Sequence, residues 1–150
     1  MAAIHALSRR RRTSNYHELN DTFTTLFRGQ AGYVYSDSLR IIDGFFMGPD
    51  LVRGFAMSGI GARDSNTPSV SRNALGGTTY FGGSTELQFP LFGMPREVGL
   101  RGAFFADAGT LFGYNGSTQN VNVVGDDKSI RSSIGAGVLW ASPIGPIRLD

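Results

Sequence analysis

The chain has 150 residues, of which 41% are apolar and 17% charged, with a formal net charge of +2. That length suits one ordinary domain, and the composition is too apolar and too weakly charged for an intrinsically disordered chain. There is no cysteine, which excludes a disulfide framework, a thiolate metal site and a cysteine nucleophile; no run of about eighteen apolar residues occurs, which excludes a transmembrane helix.

Glycine reaches 21 residues and aromatics 11%, a pairing that points to strands and turns rather than packed helices. Four of the positive charges form the block Arg9–Arg12. A basic block can bind nucleic acid, but no aromatic or basic pattern follows it, so no nucleic-acid partner is expected. In "MAAIHALSRRRR" the basic run follows a short, weakly apolar stretch instead of preceding a proper one. It is therefore not a signal peptide, and the chain shows no export signal of its own. Residues 1–25 lack a clear period; "SNYHELNDTFTTLF" either opens a strand or stays loose.

From Leu26 the pattern sharpens. In Leu26–Tyr35 one face carries Phe27, Gly29, Ala31, Tyr33 and Tyr35, the other Arg28, Gln30 and Gly32, with Val34 the exception. This is the period of two expected of a strand. Residues 36–79 follow as a long insert rich in glycine, proline, serine and asparagine, a length that is usually functional or disordered. Within it, "DLVRGFAMSGIGARD" wedges Arg53 between Val52 and Gly54-Phe55. Tyr80–Phe89 reads as the next strand, with Ser84, Glu86 and Gln88 on one face and Thr85, Leu87 and Phe89 on the other. A short turn with Pro90 and Pro95 leads to Val98–Ala108. There Val98, Leu100, Gly102, Phe104, Ala106 and Ala108 oppose Arg101, Phe105 and Asp107. A second long loop covers about Gly109 to Ser129. Arg131–Ala141 then sets Ile134, Ala136, Val138 and Trp140 against Arg131, Ser133, Gly135 and Gly137. "PIGP" is a tight turn and "IRLD" starts a last strand.

Strands of about ten residues joined alternately by long loops and short turns are the signature of an outer-membrane barrel. The expected fold is all-β: an antiparallel transmembrane β-barrel segment, a partial barrel with long extracellular loops and short periplasmic turns. Its apolar face would meet lipid, and Glu86, Arg101, Asp107 and Arg131 would line the lumen. Phe89, Phe92 and Trp140 would form an aromatic belt near the short turns. A soluble antiparallel sandwich also alternates; the small, glycine-rich polar face favours the barrel.

Catalysis finds no footing. His5 and His17 lie in the irregular N-terminal stretch, and no metal-ligand spacing, nucleophile elbow or phosphate loop is present. "GGTTYFGG" lacks the lysine and following helix of a phosphate loop. No enzymatic activity, cofactor or metal is expected.

Four motifs, in order, carry a resemblance: "VRGF" (Val52–Phe55), "ALGG" with "STELQFPL", "LRGAFFADAGTLF" and "GVLWASPIGPIRLD". Together they resemble the C-terminal barrel of BamA-type outer-membrane protein assembly factors, the bacterial surface antigen family, in its alphaproteobacterial form. The match runs from about Leu26 to Asp150. The resemblance implies a loop, Val52-Arg53-Gly54-Phe55, folded back into the lumen, with its arginine received by Glu86 and Asp107. It implies no catalytic role, an outer-membrane location, and as partners outer-membrane lipid, unfolded outer-membrane β-barrel proteins and assembly lipoproteins. The family carries periplasmic POTRA repeats before a barrel of about sixteen strands. Against that pattern the expected organisation is an unmatched segment, residues 1–25, and a partial barrel domain, residues 26–150, lacking the closing strands. A related barrel translocator for protein secretion and a soluble β-rich binding or structural domain are the competing readings.

Overall fold

The computed structural model describes residues 7–18, 23–35, 40, 43–66, 73–91 and 98–150. Among these, the named elements are strands: β1 Leu7–Glu18, β2 Thr24–Tyr35, β3 Ala62–Asp64, β4 Ala74–Gly76, β5 Thr79–Pro90, β6 Leu100–Phe112, β7 Val123–Val124, β8 Arg131–Ser142 and β9 Gly145–Leu149. The long strands form one six-stranded sheet in the order β1-β2-β5-β6-β8-β9, each pair antiparallel. Neighbours in the sheet follow one another along the chain, apart from the short strands β3, β4 and β7. These three make a small separate sheet within the two long connections.

The expected strands lie in this sheet in sequential order, with two differences. The first is β1. Residues 7–18 pair with β2 from Leu7↔Tyr35 to Glu18↔Thr24, although the sequence there has no apolar period. The reason is that both faces of β1 are polar: Arg9, Arg11, Thr13, Asn15 and His17 alternate with Arg10, Arg12, Ser14 and Tyr16. An alternation test has nothing to detect where backbone pairing alone defines the strand. The second is β6, which starts at Leu100 and continues past Ala108 to Phe112, against Thr79 of β5. The sequence places the start of a long loop at about Gly109, but Gly109 lies in the strand, where a Cβ would stand only 3.1 Å from Val52 and 3.2 Å from Met47.

The two faces of the sheet differ as the alternation requires. Phe27, Tyr33, Phe81, Phe104, Ile134, Val138 and Trp140 are exposed on the outer face, Ile134 to 86%. At the short-turn end Phe89 stacks on Phe104 with centroids 5.2 Å apart, and Trp140 Nε1 donates to the Val98 carbonyl at 3.0 Å. Phe92 lies outside the described residues. The inner face is concave. Arg101 on β6 reaches over β5 to donate to Thr24 Oγ1 on β2 at 3.1 Å, a span that side chains bridge only on the inside of a curled sheet.

Into this concavity folds part of the β2–β3 connection. Phe45, Met47, Leu51, Val52 and Ile60 from the loop bury themselves with Val34 of β2, Tyr80 of β5 and Leu111 of β6. Phe45 meets Tyr80 edge-on at 4.8 Å. Isolated bridges Phe45↔Gly77 and Met47↔Ile60 hold the loop's own shape. The molecule's apolar core therefore lies between wall and loop. A water-filled lumen would leave that apolar surface exposed, so burying it draws the loop inward.

Candidate functional site

The site is built around Arg53. Val52, just before it, is fully buried in the wall-loop core, and Gly54, just after it, has φ +84°. That left-handed conformation is one that only glycine adopts without strain. A buried anchor and a sharp turn on either side leave the Arg53 side chain one direction, along the inner wall. Phe55 packs against the edge of the same core.

Three wall positions receive the guanidinium. On β6, Asp107 accepts Nε at 2.6 Å and Nη2 at 2.7 Å through its two oxygens, and also the Arg53 backbone N–H at 3.1 Å. On β5, Glu86 accepts Nη1 at 2.8 Å and Ser84 Oγ accepts Nη2 at 3.0 Å. The plane of the guanidinium lies over the Phe105 ring, 3.6 Å from its centroid. A planar fork with fixed donors suits two carboxylates at an angle, and its face suits an aromatic ring. Both acids sit where alternation sets them: Glu86 is 0% and Asp107 3% exposed. Charges this deep are tolerated only when paired and hydrogen-bonded, and here every polar atom of the guanidinium has a carboxylate or hydroxyl partner.

The structure thus brings together Val52, Arg53, Gly54, Phe55, Glu86 and Asp107. It also adds residues the sequence reading missed. Arg148 on β9 binds both oxygens of Glu86, Nη1 to Oε1 at 3.0 Å and Nη2 to Oε2 at 2.7 Å. Asp150 accepts Arg148 Nε at 2.6 Å and lies 3.7 Å from Arg53 Nη1. Gln88 donates to Glu86 Oε1 at 2.8 Å. A signal for them existed: in "IRLD" the period of two sets Arg148 and Asp150 opposite Ile147 and Leu149. Two glycines of β8 make the room. A side chain at Gly135 would strike the Phe105 ring, and one at Gly137 would strike the Asp150 carboxylate.

What the arrangement can do is hold a loop. A curled antiparallel sheet, apolar outside, polar and glycine-rich inside, with a long loop docked on its inner wall, is a segment of a transmembrane β-barrel. Residues 3–150 match the model of the Omp85 superfamily domain, and the chain belongs to that superfamily. Over 99 residues it is 42% identical to the outer membrane protein assembly factor BamA of Neorickettsia risticii (strain Illinois), an alignment covering 66% of this chain and 12% of that protein. It is 27% identical over 159 aligned positions to the outer membrane protein assembly factor BamA of Neisseria meningitidis serogroup B, covering 90% of this chain and 20% of that protein. The chain therefore spans only a small part of the length of these relatives. The crystal structure of BamA from Haemophilus ducreyi lacking POTRA domains 1–3 has the same fold over 95% of this chain and 30% of that one, with a TM-score of 0.74 and 22% identity.

Proposed function

We propose that this chain is a wall-and-loop segment of the outer-membrane machinery that inserts and assembles β-barrel proteins, and that Val52–Phe55 is its lumenal loop, pinned through Arg53 to Glu86 and Asp107. The observation that carries the proposal is the seat itself: a loop arginine docked on two buried carboxylates of adjacent strands, in a superfamily member whose named relatives are assembly factors. Those names favour assembly over a secretion translocator. The outward row of exposed Phe27, Phe81, Phe104 and Ile134 favours a lipid-facing wall over a soluble β-rich domain, which would bury such a row. On this reading the segment resides in the outer membrane and is not catalytic. Lipid meets its outer face, and its partners in the assembled machine are unfolded outer-membrane β-barrel proteins and assembly lipoproteins.

The six sheet strands among the described residues are fewer than the eight of the smallest closed outer-membrane barrels, and open edges leave backbone groups unpaired, at several kcal/mol each in lipid. The chain alone is therefore expected not to rescue a strain depleted of its own assembly factor. Spliced in place of the matching stretch of the Neisseria relative, it is expected to support growth and folded porin levels, with Arg53→Ala lowering both. Failure of the splice in a barrel that folds and reaches the membrane would contradict the assembly role.

A further inference from the structure

Glu86 has four hydrogen bonds, and only one comes from the loop. Arg53 supplies Nη1 at 2.8 Å and Gln88 a second donor, while Arg148 supplies two. The principal partner of this buried carboxylate is therefore on β9, not on the loop. That contact is unexpected from the order of the strands. In the sheet β5 and β9 are separated by β6 and β8, which would set them about 14 Å apart on a flat sheet. Curling of the wall and the length of an arginine close the gap. Gly135 and Gly137 of β8 clear the path, since side chains there would collide with Phe105 and with the Asp150 carboxylate.

We propose that Arg148 is a positioning residue for the lumenal loop: by holding both oxygens of Glu86 from β9 it fixes the carboxylate that Arg53 binds, so that seating of the loop and pairing of β9 on β8 form one coupled unit. The charges close into a ring. Asp107 binds Arg53, Arg53 binds Glu86, Glu86 binds Arg148, Arg148 binds Asp150, and Asp150 returns to within 3.7 Å of Arg53. Two cations serve three carboxylates. Without Arg148, Arg53 is left against three anions, and Glu86 draws its fork away from the bidentate bond to Asp107. Because such coupling is reciprocal, a change at either end reaches the other: freeing β9 loosens the loop, and unseating the loop loosens β9. Pairing of β9 is otherwise modest, five residue pairs from Val138↔Leu149 to Ser142↔Gly145, so the ring is a substantial part of what holds this strand.

The chain has no cysteine, so single labels can be placed at will. A nitroxide at Met57→Cys, an exposed position of the loop, reports loop seating in the chain refolded in detergent micelles. A nitroxide placed instead at Phe27→Cys, exposed on β2 and separated from β9 by β5, β6 and β8, reports the wall. Arg148→Gln is expected to raise the mobile nitroxide population of the loop on the order of tenfold, the equivalent of about 1.4 kcal/mol, with an unchanged spectrum at position 27. Arg148→Lys, which keeps the charge and gives up the fork, falls between, and Arg131→Gln, an inner-face arginine outside the ring, has no effect. In the reverse direction Arg53→Gln speeds amide exchange in β9. Should Arg148→Gln not retain the parent spectrum at position 27, Arg148→Lys carries the same comparison. A nitroxide that stays immobile in the folded Arg148 variant, or β9 exchange untouched by Arg53→Gln, overturns the proposal. No assembly step enters this test, so its outcome is separate from that of the assembly role.

Discussion

Neutralising Asp107 is the sharpest single perturbation of the loop seat. Asp107→Asn keeps the side-chain shape and removes the charge from a carboxylate that is 1% exposed and accepts three hydrogen bonds from Arg53, at 2.6, 2.7 and 3.1 Å. Removing one partner of a buried pair costs about 3–5 kcal/mol, because the other charge is left behind. Arg53 retains its 2.8 Å bond to Glu86 and a side chain 15% open to solvent, which sets the expected loss at the lower end, about 3 kcal/mol. Arg53→Gln is expected to cost a similar amount. Since both variants break the same interaction, the double variant should lose far less than the sum, with a coupling energy between ~1 and ~3 kcal/mol. Urea titrations of the refolded chain, followed by the fluorescence of Trp140, measure all four corners of this cycle. Losses that add within about 0.5 kcal/mol would mean that the two residues stabilise the fold independently, and the pinning mechanism would fail.

Three further substitutions and one control, Gly29→Ala, separate the parts of the site in the same titration. Arg53→Lys should behave more like Arg53→Gln than like the parent, because an ammonium reaches one carboxylate and cannot bridge Asp107, Glu86 and the Phe105 face together. Gly54→Ala is expected to lose about 1–2 kcal/mol from backbone strain alone, since φ is +84° and a Cβ there meets no atom within 4 Å; Gly29→Ala, in open space on ordinary strand backbone, should not destabilise. Gly135→Ala should cost about 1–3 kcal/mol by overpacking and weaken the Arg53 seat as well, because the Phe105 ring it displaces lies under the guanidinium.

Where side chains alternate, the sequence was a sufficient guide. Leu26–Tyr35 and Arg131–Ala141 alternate between apolar and polar faces, with Leu26, Val34 and Leu139 as apolar exceptions on the polar face, and both lie in the sheet with those faces outward and inward. Glu86 and Asp107 could be set on one inner face by parity alone, but their pairing with Arg53 could not. The two acids are 33 and 54 residues from it along the chain, and no local period links a loop to a wall. Only the resemblance of "VRGF" joined them at the sequence level. β1 was illegible for a different reason: polar residues on both faces erase the period of two. Arg148 was hidden by topology. Its parity was readable in "IRLD", but a bond from β9 to β5 depends on how tightly the wall curls and on glycines that leave β8 bare, and neither follows from the pattern of one strand.

The claim on which everything rests is that one face of this sheet meets lipid while the other holds the loop. Nitroxides placed one at a time at cysteines along residues 132–141 of β8, in the chain spliced into the barrel of the Neisseria relative and reconstituted into phospholipid vesicles so that both sheet edges are paired, test it through collision with oxygen, which concentrates in the bilayer, and with a water-soluble nickel chelate. Oxygen collisions are predicted to peak at 134, 136, 138 and 140 and to fall at 133, 135, 137 and 139, with a period of two. Nickel collisions peaking at 134, 136 and 138 would put that face in water and contradict the account.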